Sequence, residues 1–249
     1  MSLTPVVHAF GLARSASDMS EDAYAVDAPA GVFALADGAS SAWRAGDWAA
    51  ALAAAWVAKP PARGRDGGRG AFTGWLEGLR EALTAEDTAD PERPWFTAAA
   101  ARRGAHAALL GLSLHALGGK RPRWRTLAVG DVCCFHVRDG ALLTATPIDA
   151  ADRFGSHPDL LSSLPGADVP EPIIAEGELR AGDLLVLASD ALAAFLLRLD
   201  AAGEPVWPTL ARVDGAAFLA LVAAGIDADL LERDDTTLVR IALRGEDRA

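Results

Sequence analysis

Val32-Phe33-Ala34-Leu35-Ala36-Asp37-Gly38 is an apolar run that ends in a carboxylate and a glycine. An unbroken apolar stretch of this length predicts a buried strand over Gly31–Ala36, and the Asp-Gly pair marks where the chain leaves the core. The same pattern returns elsewhere. Leu184-Leu185-Val186-Leu187-Ala188-Ser189 runs into Asp190, and Asp234-Asp235 runs into Thr236-Thr237-Leu238-Val239-Arg240-Ile241. Glu21-Asp22 stands directly before the predicted strand Ala23–Val26. A carboxylate just beyond a buried strand has a rigid support and can still face a cleft.

Further strands are expected at Val6–Gly11, Thr126–Val129, Val132–Val137, Ala141–Thr146, Asp183–Ala188 and Thr236–Leu243, with Asp139-Gly140 as a hairpin turn. Alanine-rich stretches predict helices over Trp43–Ala58, Phe72–Ala85, Pro94–Leu117, Ala191–Leu199 and Gly215–Ala224. Trp48, Leu52 and Trp56 recur every four residues and should form one buried stripe. Lys59–Gly70 has the Pro and Gly content of a mobile loop, and Asp149–Glu176 reads as irregular. Strands come in consecutive groups with helices between the groups, which predicts antiparallel sheets with helices packed outside. No domain boundary interrupts the pattern, so residues 1–249 read as one domain.

The chain has 249 residues, 34 acidic and 23 basic, for a net charge of −11, and it is 51% hydrophobic. That apolar content excludes a disordered chain. The acidic balance argues against nucleic-acid partners and against attachment to anionic lipid, and no apolar run approaches the about 20 residues of a membrane span. Cys133 and Cys134 are adjacent and suit neither a disulfide nor a zinc site, and the N-terminus lacks a signal peptide's pattern. The expectation is a soluble, cytoplasmic monomer. One of the two cysteines should point inward as ordinary packing. His8, His106, His115, His136 and His157 show no metal spacing and read as core or surface residues. Arg63, Arg65 and Arg69 read as a solvated loop.

Taken singly, each acidic group has an ordinary reading: Asp37-Gly38 a turn, Asp190 a helix N-cap, Asp234-Asp235 and Glu21-Asp22 charged loops. If the strand ends converge, four or five carboxylates share one small site. Like charges at that density need protons or cations, and oxygen-only ligands select Mg²⁺ or Mn²⁺. Two such ions serve metal-assisted hydrolysis of a phosphoester.

Ser20-Glu21-Asp22-Ala23, Phe33-Ala34-Leu35-Ala36-Asp37-Gly38-Ala39-Ser40-Ser41, Ala128-Val129-Gly130-Asp131, Gly182–Asp190 and Asp234-Asp235-Thr236-Thr237-Leu238 occur in this order across residues 20 to 238. In these pieces the sequence resembles the metal-dependent type 2C (PPM-type) protein serine/threonine phosphatases, especially compact bacterial members. The resemblance implies an α+β fold, a four-layer α-β-β-α sandwich with two central antiparallel sheets. It also implies a centre of two Mg²⁺ or Mn²⁺ ions, with a weaker third. By position, Asp37 resembles the carboxylate that bridges both ions and Gly38 the carbonyl ligand. Asp190 and Asp234 resemble ligands of one ion, Glu21 or Asp22 the acidic group serving the other, and Asp131 the residue that holds the third. Asp235 resembles a group that orients Asp234.

Departures accompany these matches. Ala191 stands where the family has glycine, which questions the local turn, and Val132 where it has serine. Arg14 is the candidate for the phosphate-binding arginine though placed early, with Arg44 as an alternative. No histidine follows Asp37-Gly38 as a general acid. The resemblance implies hydrolysis of phosphoserine and phosphothreonine on a protein substrate, with a cognate serine/threonine kinase as a partner and a flap near 149–176 setting specificity. The alternative is a catalytically weak pseudophosphatase that binds a phosphoprotein or regulates a kinase.

Overall fold

The computed structural model describes residues 2–15, 17–39, 44–62, 68–87, 103–155 and 157–246. Two antiparallel sheets lie at its centre. The first has the order β1 (Ser2–Leu12), β11 (Thr236–Glu246), β10 (Leu184–Ala188), β6 (Cys133–Arg138), β7 (Ala141–Thr146). The second has the order β2 (Asp22–Asp27), β3 (Val32–Gly38), β4 (His106–His115), β5 (Arg123–Val129), β9 (Ile173–Glu178), with the short β8 (Leu161–Ser162) also paired to β4.

Alternation along the strands builds three apolar layers. On β10, Leu185 and Leu187 enter the core between the sheets, whereas Leu184, Val186 and Ala188 face the helices α3 (Asp190–Ala201), α4 (Val206–Leu210) and α5 (Gly215–Asp227). On β3, Phe33 and Leu35 face the other sheet, whereas Ala34 and Ala36 lie under α1 (Ala45–Ala58) and α2 (Arg69–Asp87). The result is the expected α-β-β-α sandwich. Trp48, Leu52 and Trp56 do form one buried stripe on α1. The small side chains of β3 let that helix lie close to the sheet.

Asp139 and Gly140 form the predicted two-residue hairpin turn, both with positive φ (51° and 79°), the backbone a tight antiparallel turn demands. Cys133 and Cys134 are both buried, on opposite faces of β6, because this strand is covered on both sides; both are free thiols.

The helix expected over Pro94–Leu117 is corrected where it is described: His106–His115 is the strand β4, flanked by β3 and β5. Its alanines and leucines suit either state, and a strand buried on both faces loses the polar alternation that marks a half-exposed one. Residues 94–102 lie outside the described residues, as do Trp43, Ser40, Ser41, Arg63 and Arg65. Of the expected loop 59–70, Arg69 and Gly70 already belong to α2, and Arg69 pairs with Glu171 at 2.8 Å. Residues 149–176 are not wholly irregular: they hold a short 3₁₀ turn at Ala151–Arg153, β8 and the start of β9.

Candidate active site

The acidic residues sit at one end of both sheets, and strand register puts them there. Asp22 opens β2 directly opposite Asp37 near the end of β3. Gly130 and Asp131 join β5 to β6, whose first residue, Cys133, pairs with Ala188 of β10. Asp190 follows that strand as the first residue of α3, and Asp234 and Asp235 precede β11, whose Leu238 pairs with Ala188. Five chain segments therefore deliver carboxylates to one place.

Two glycines make the approach possible. A Cβ on Gly38 would lie 2.7 Å from the Ala45 carbonyl carbon and 2.9 Å from the Glu21 carbonyl oxygen. Gly130 turns the chain with φ of 96°, and a Cβ there would lie 2.5 Å from that of Ala108. Ala191, where the resemblance implies a glycine, is not strained: it continues α3 without a left-handed conformation. The turn questioned from sequence is an ordinary helix start. Val132 is buried between the sheets, where an apolar residue suits better than a serine.

Electrostatics confirm the crowding. Burial, then the charges of Asp22, Asp190, Asp131 and Asp234, push the Asp37 carboxyl well above its ordinary range. Asp22 is pushed up to about 7, first by burial and then by Asp235 and Asp190. Asp131 also rises to about 7, through burial and Asp190. Asp190 rises through burial and Asp234, opposed by the Ala191 N–H and by Asp37 nearby. Both carboxylate oxygens of Asp22 and one of Glu21 are shut off from solvent without a hydrogen-bond partner. Ser189 and Thr237 stand near Asp22 and favour its charged form, but the Ser189 hydroxyl is already committed, accepting from the Thr237 N–H at 3.0 Å and donating to the Asp235 carbonyl at 3.4 Å.

Asp235 does not orient Asp234 with its side chain. Its two carboxylate oxygens accept the backbone N–H of Arg14 at 2.8 Å and of Glu21 at 2.6 Å, tying the end of β1 to the start of β2. The contact within the pair runs from the Asp235 N–H to Asp234, at 2.8 Å. Arg14 thus stands beside the cluster, its guanidinium near Glu21 and Asp235 and 3.4 Å from Asp18. Arg44 pairs with Asp47 at the exposed start of α1. The region 149–176 borders the site: Asp131, Arg153, His157 and Glu171 share a cavity of about 200 Å³. His157, read from sequence as a core or surface residue, lines that cavity. Ser189 and Thr237 lie inside motifs the sequence displays but draw attention only once folded beside Asp22.

The donor set fits hard divalent cations. All donors are oxygens, three of them buried without a partner, and the carboxylates are mutually repelled unless neutralised. Among the described residues, no three such side chains are placed close enough to hold an ion as they stand. The described residues form a crowded carboxylate cluster rather than a closed ligand cage.

No family model and no curated protein matches the chain. Solved structures do. The catalytic domain of the serine/threonine phosphatase PstP, in complex with two manganese ions, superposes with a TM-score of 0.63 at 19% identity, covering 98% of this chain and 100% of that one. The fold is that of the PPM-type serine/threonine phosphatases. The Mycobacterium tuberculosis PstP/Ppp phosphatase gives 0.61 at 21% identity over 98% of this chain and 100% of its own. PppA, a regulatory component of the Pseudomonas aeruginosa type VI secretion system, gives 0.61 at 18% identity over 97% and 99%. The PPM fold is shared along nearly the whole length. No helix among the described residues is long and apolar enough to cross a membrane.

Proposed function

We propose that the chain is a metal-dependent phosphatase acting on phosphoserine and phosphothreonine of a protein substrate. The observation that supports it most is the convergence of Asp22, Asp131, Asp190 and Asp234 on Asp37, a buried cluster whose charge calls for cations. In this reading Asp37, Asp190 and Asp234, with the Gly38 carbonyl and Glu21 or Asp22, hold two Mg²⁺ or Mn²⁺ ions, and Asp131 contributes to a third. Such ions supply an acidified water for attack on phosphorus and positive charge against the phosphoryl oxygens. The chain's own residues do the rest. Asp235 fixes the backbone of Arg14 and Glu21, so that Arg14 meets the substrate phosphate from the rim. The cavity of Arg153 and His157 beside Asp131 receives residues flanking the phosphorylated one.

The test is phosphate release from a phosphopeptide in the presence of Mn²⁺. Release that stops in Asp37→Asn and in Asp190→Asn supports the assignment, and activity surviving both substitutions together refutes it. A second reading, a non-catalytic module that binds a phosphoprotein or regulates a kinase, draws on the open arrangement of the carboxylates. Calorimetry separates the two, since such a module has no strong Mn²⁺ binding.

A further inference from the structure

A second cavity, of about 680 Å³, opens at the end of the sandwich away from the acidic cluster. Strand register puts it there. β4 passes the cluster where Ala108 pairs with Asp37 and ends at His115, so the connection that holds Gly118, Lys120 and Pro122 lies at its far end, about 23 Å on at roughly 3.3 Å per residue. β10 runs toward Asp190, so Leu179 and Arg180, which precede it, lie at the far end too. Leu3, near the start of β1, meets them from the other sheet.

The walls of this cavity are tied together. The Leu3 N–H donates to the Leu117 carbonyl at 2.8 Å, and the Leu179 N–H to the Pro122 carbonyl at 2.9 Å. The Arg180 N–H donates to the Asp183 carboxylate at 2.8 Å. Leu3 and Leu179 are only 4% and 3% exposed and belong to the core between the sheets, so the apolar side of the cavity is fixed. The charge at its mouth has one sign. Lys120 and Arg180 both line it, both are exposed, and neither side chain has a hydrogen bond or ion pair with a described residue. No carboxylate is among the described residues of the lining. Asp183, the acidic group bonded to this loop, is committed to the Arg138 fork and His136. In a chain of net charge −11 this is unusual: Arg69, Arg123, Arg138 and Arg153 each sit against an Asp or Glu.

We propose that this cavity binds a small organic phosphomonoester, its dianion held by Lys120 and Arg180 and its apolar body against Leu3, Leu179 and Pro122. An apolar wall with a few convergent polar groups, within roughly 300–1,000 Å³, is the usual composition of a small-molecule site. Two cations from separate connections match a doubly charged group better than a single carboxylate, and long, unpaired side chains turn onto a ligand without giving up a contact.

The test uses the full chain, ¹⁵N-labelled at glycine and kept in chelator, titrated near about pH 8 with phenylphosphonate, whose C–P bond a phosphatase does not cleave. The amide resonance absent from Gly118→Ala identifies Gly118, where an added Cβ meets only the Ser2 hydroxyl at 3.9 Å. That resonance should shift saturably in the millimolar range. Lys120→Gln and Arg180→Gln together should weaken binding roughly tenfold or more, as loss of charge-assisted hydrogen bonds predicts. Inorganic phosphate, which lacks the apolar body, should bind roughly tenfold more weakly than phenylphosphonate. Asp37→Asn should leave the titration unchanged, which keeps this result independent of any phosphatase activity. A Gly118 resonance that does not move, a titration unaffected by the double substitution, inorganic phosphate binding as tightly as phenylphosphonate, or a titration abolished by Asp37→Asn each overturns the proposal.

Discussion

Asp235 shows what one carboxylate does at the edge of the site. It accepts two backbone N–H groups from distant segments, Arg14 and Glu21, and is itself only 5% exposed. Asp235→Ala leaves both donors without this partner. Each unsatisfied buried group costs about 1–3 kcal/mol, so urea unfolding of this variant should show a loss of roughly 2–4 kcal/mol. A loss below about 0.5 kcal/mol would mean that water replaces the carboxylate. Arg14 carries a different expectation. Its guanidinium is exposed at the rim beside Asp18, so Arg14→Ala should change stability little while raising KM for a phosphopeptide more than it lowers kcat. An unchanged KM would remove Arg14 from phosphate binding and leave the cavity of Arg153 and His157 as the place to look.

At the scale of elements, Gly111 decides how α1 lies on its sheet. Alanine in a strand ordinarily improves on glycine, but here its Cβ would enter the Trp56 ring. Gly111→Ala should therefore destabilise by about 1–3 kcal/mol, the usual cost of overpacking, measured by denaturant unfolding. A stabilised variant would show that α1 moves aside freely. This strand also shows where sequence reading stops. The strands that end in acidic residues were legible because an apolar run followed by Asp is a local signal. So was the Asp139-Gly140 hairpin, whose turn chemistry is local too. β4 was read as helix because its reason for being a strand, burial under α1 on one face and the opposite sheet on the other, exists only in the fold. β8 and α4, two and five residues long, carry no period to read. The carboxylates at the site were each legible, and the family resemblance supplied their grouping. Their mutual repulsion, the role of Asp235 and the neighbourhood of Ser189 and Thr237 depend on strand register, which no single motif encodes.

Across the whole molecule, the two ends of the sandwich respond to pH in opposite ways. At the end away from the acidic cluster, Trp124 donates to His136 Nδ1 at 3.1 Å, and His136 Nε2 lies 3.0 Å from Asp183, linking one sheet to the other. Burial alone would raise the Asp183 carboxyl, but the Arg138 fork, His136 and the Arg180 N–H hold it well below its ordinary range. A depressed carboxyl stabilises the fold above its unfolded pKa, and that contribution is lost as pH falls below about 4. At the end that holds the acidic cluster the shifts are upward: burial first pushes the Asp22 and Asp131 carboxyls up to about 7. A raised carboxyl contributes its full stability below the unfolded pKa near 4 and loses it as pH climbs toward the folded value. The chelated protein should therefore melt at a higher temperature near about pH 5 than near about pH 8, with Asp183→Asn removing part of the loss on the acid side and leaving the alkaline side intact. Divalent cations bind the ionised carboxylates and compete with protons, so Mn²⁺ should raise the melting temperature much more near about pH 8 than near about pH 5. Differential scanning calorimetry with Mn²⁺ and with chelator near about pH 5 and about pH 8 reads the alkaline-side differences, and the chelated wild type and Asp183→Asn compared near about pH 3 read the acid-side one. Equal Mn²⁺ stabilisation at the two pH values would mean that the ion binds away from the buried carboxylates, and no Mn²⁺ effect at either would favour the non-catalytic reading.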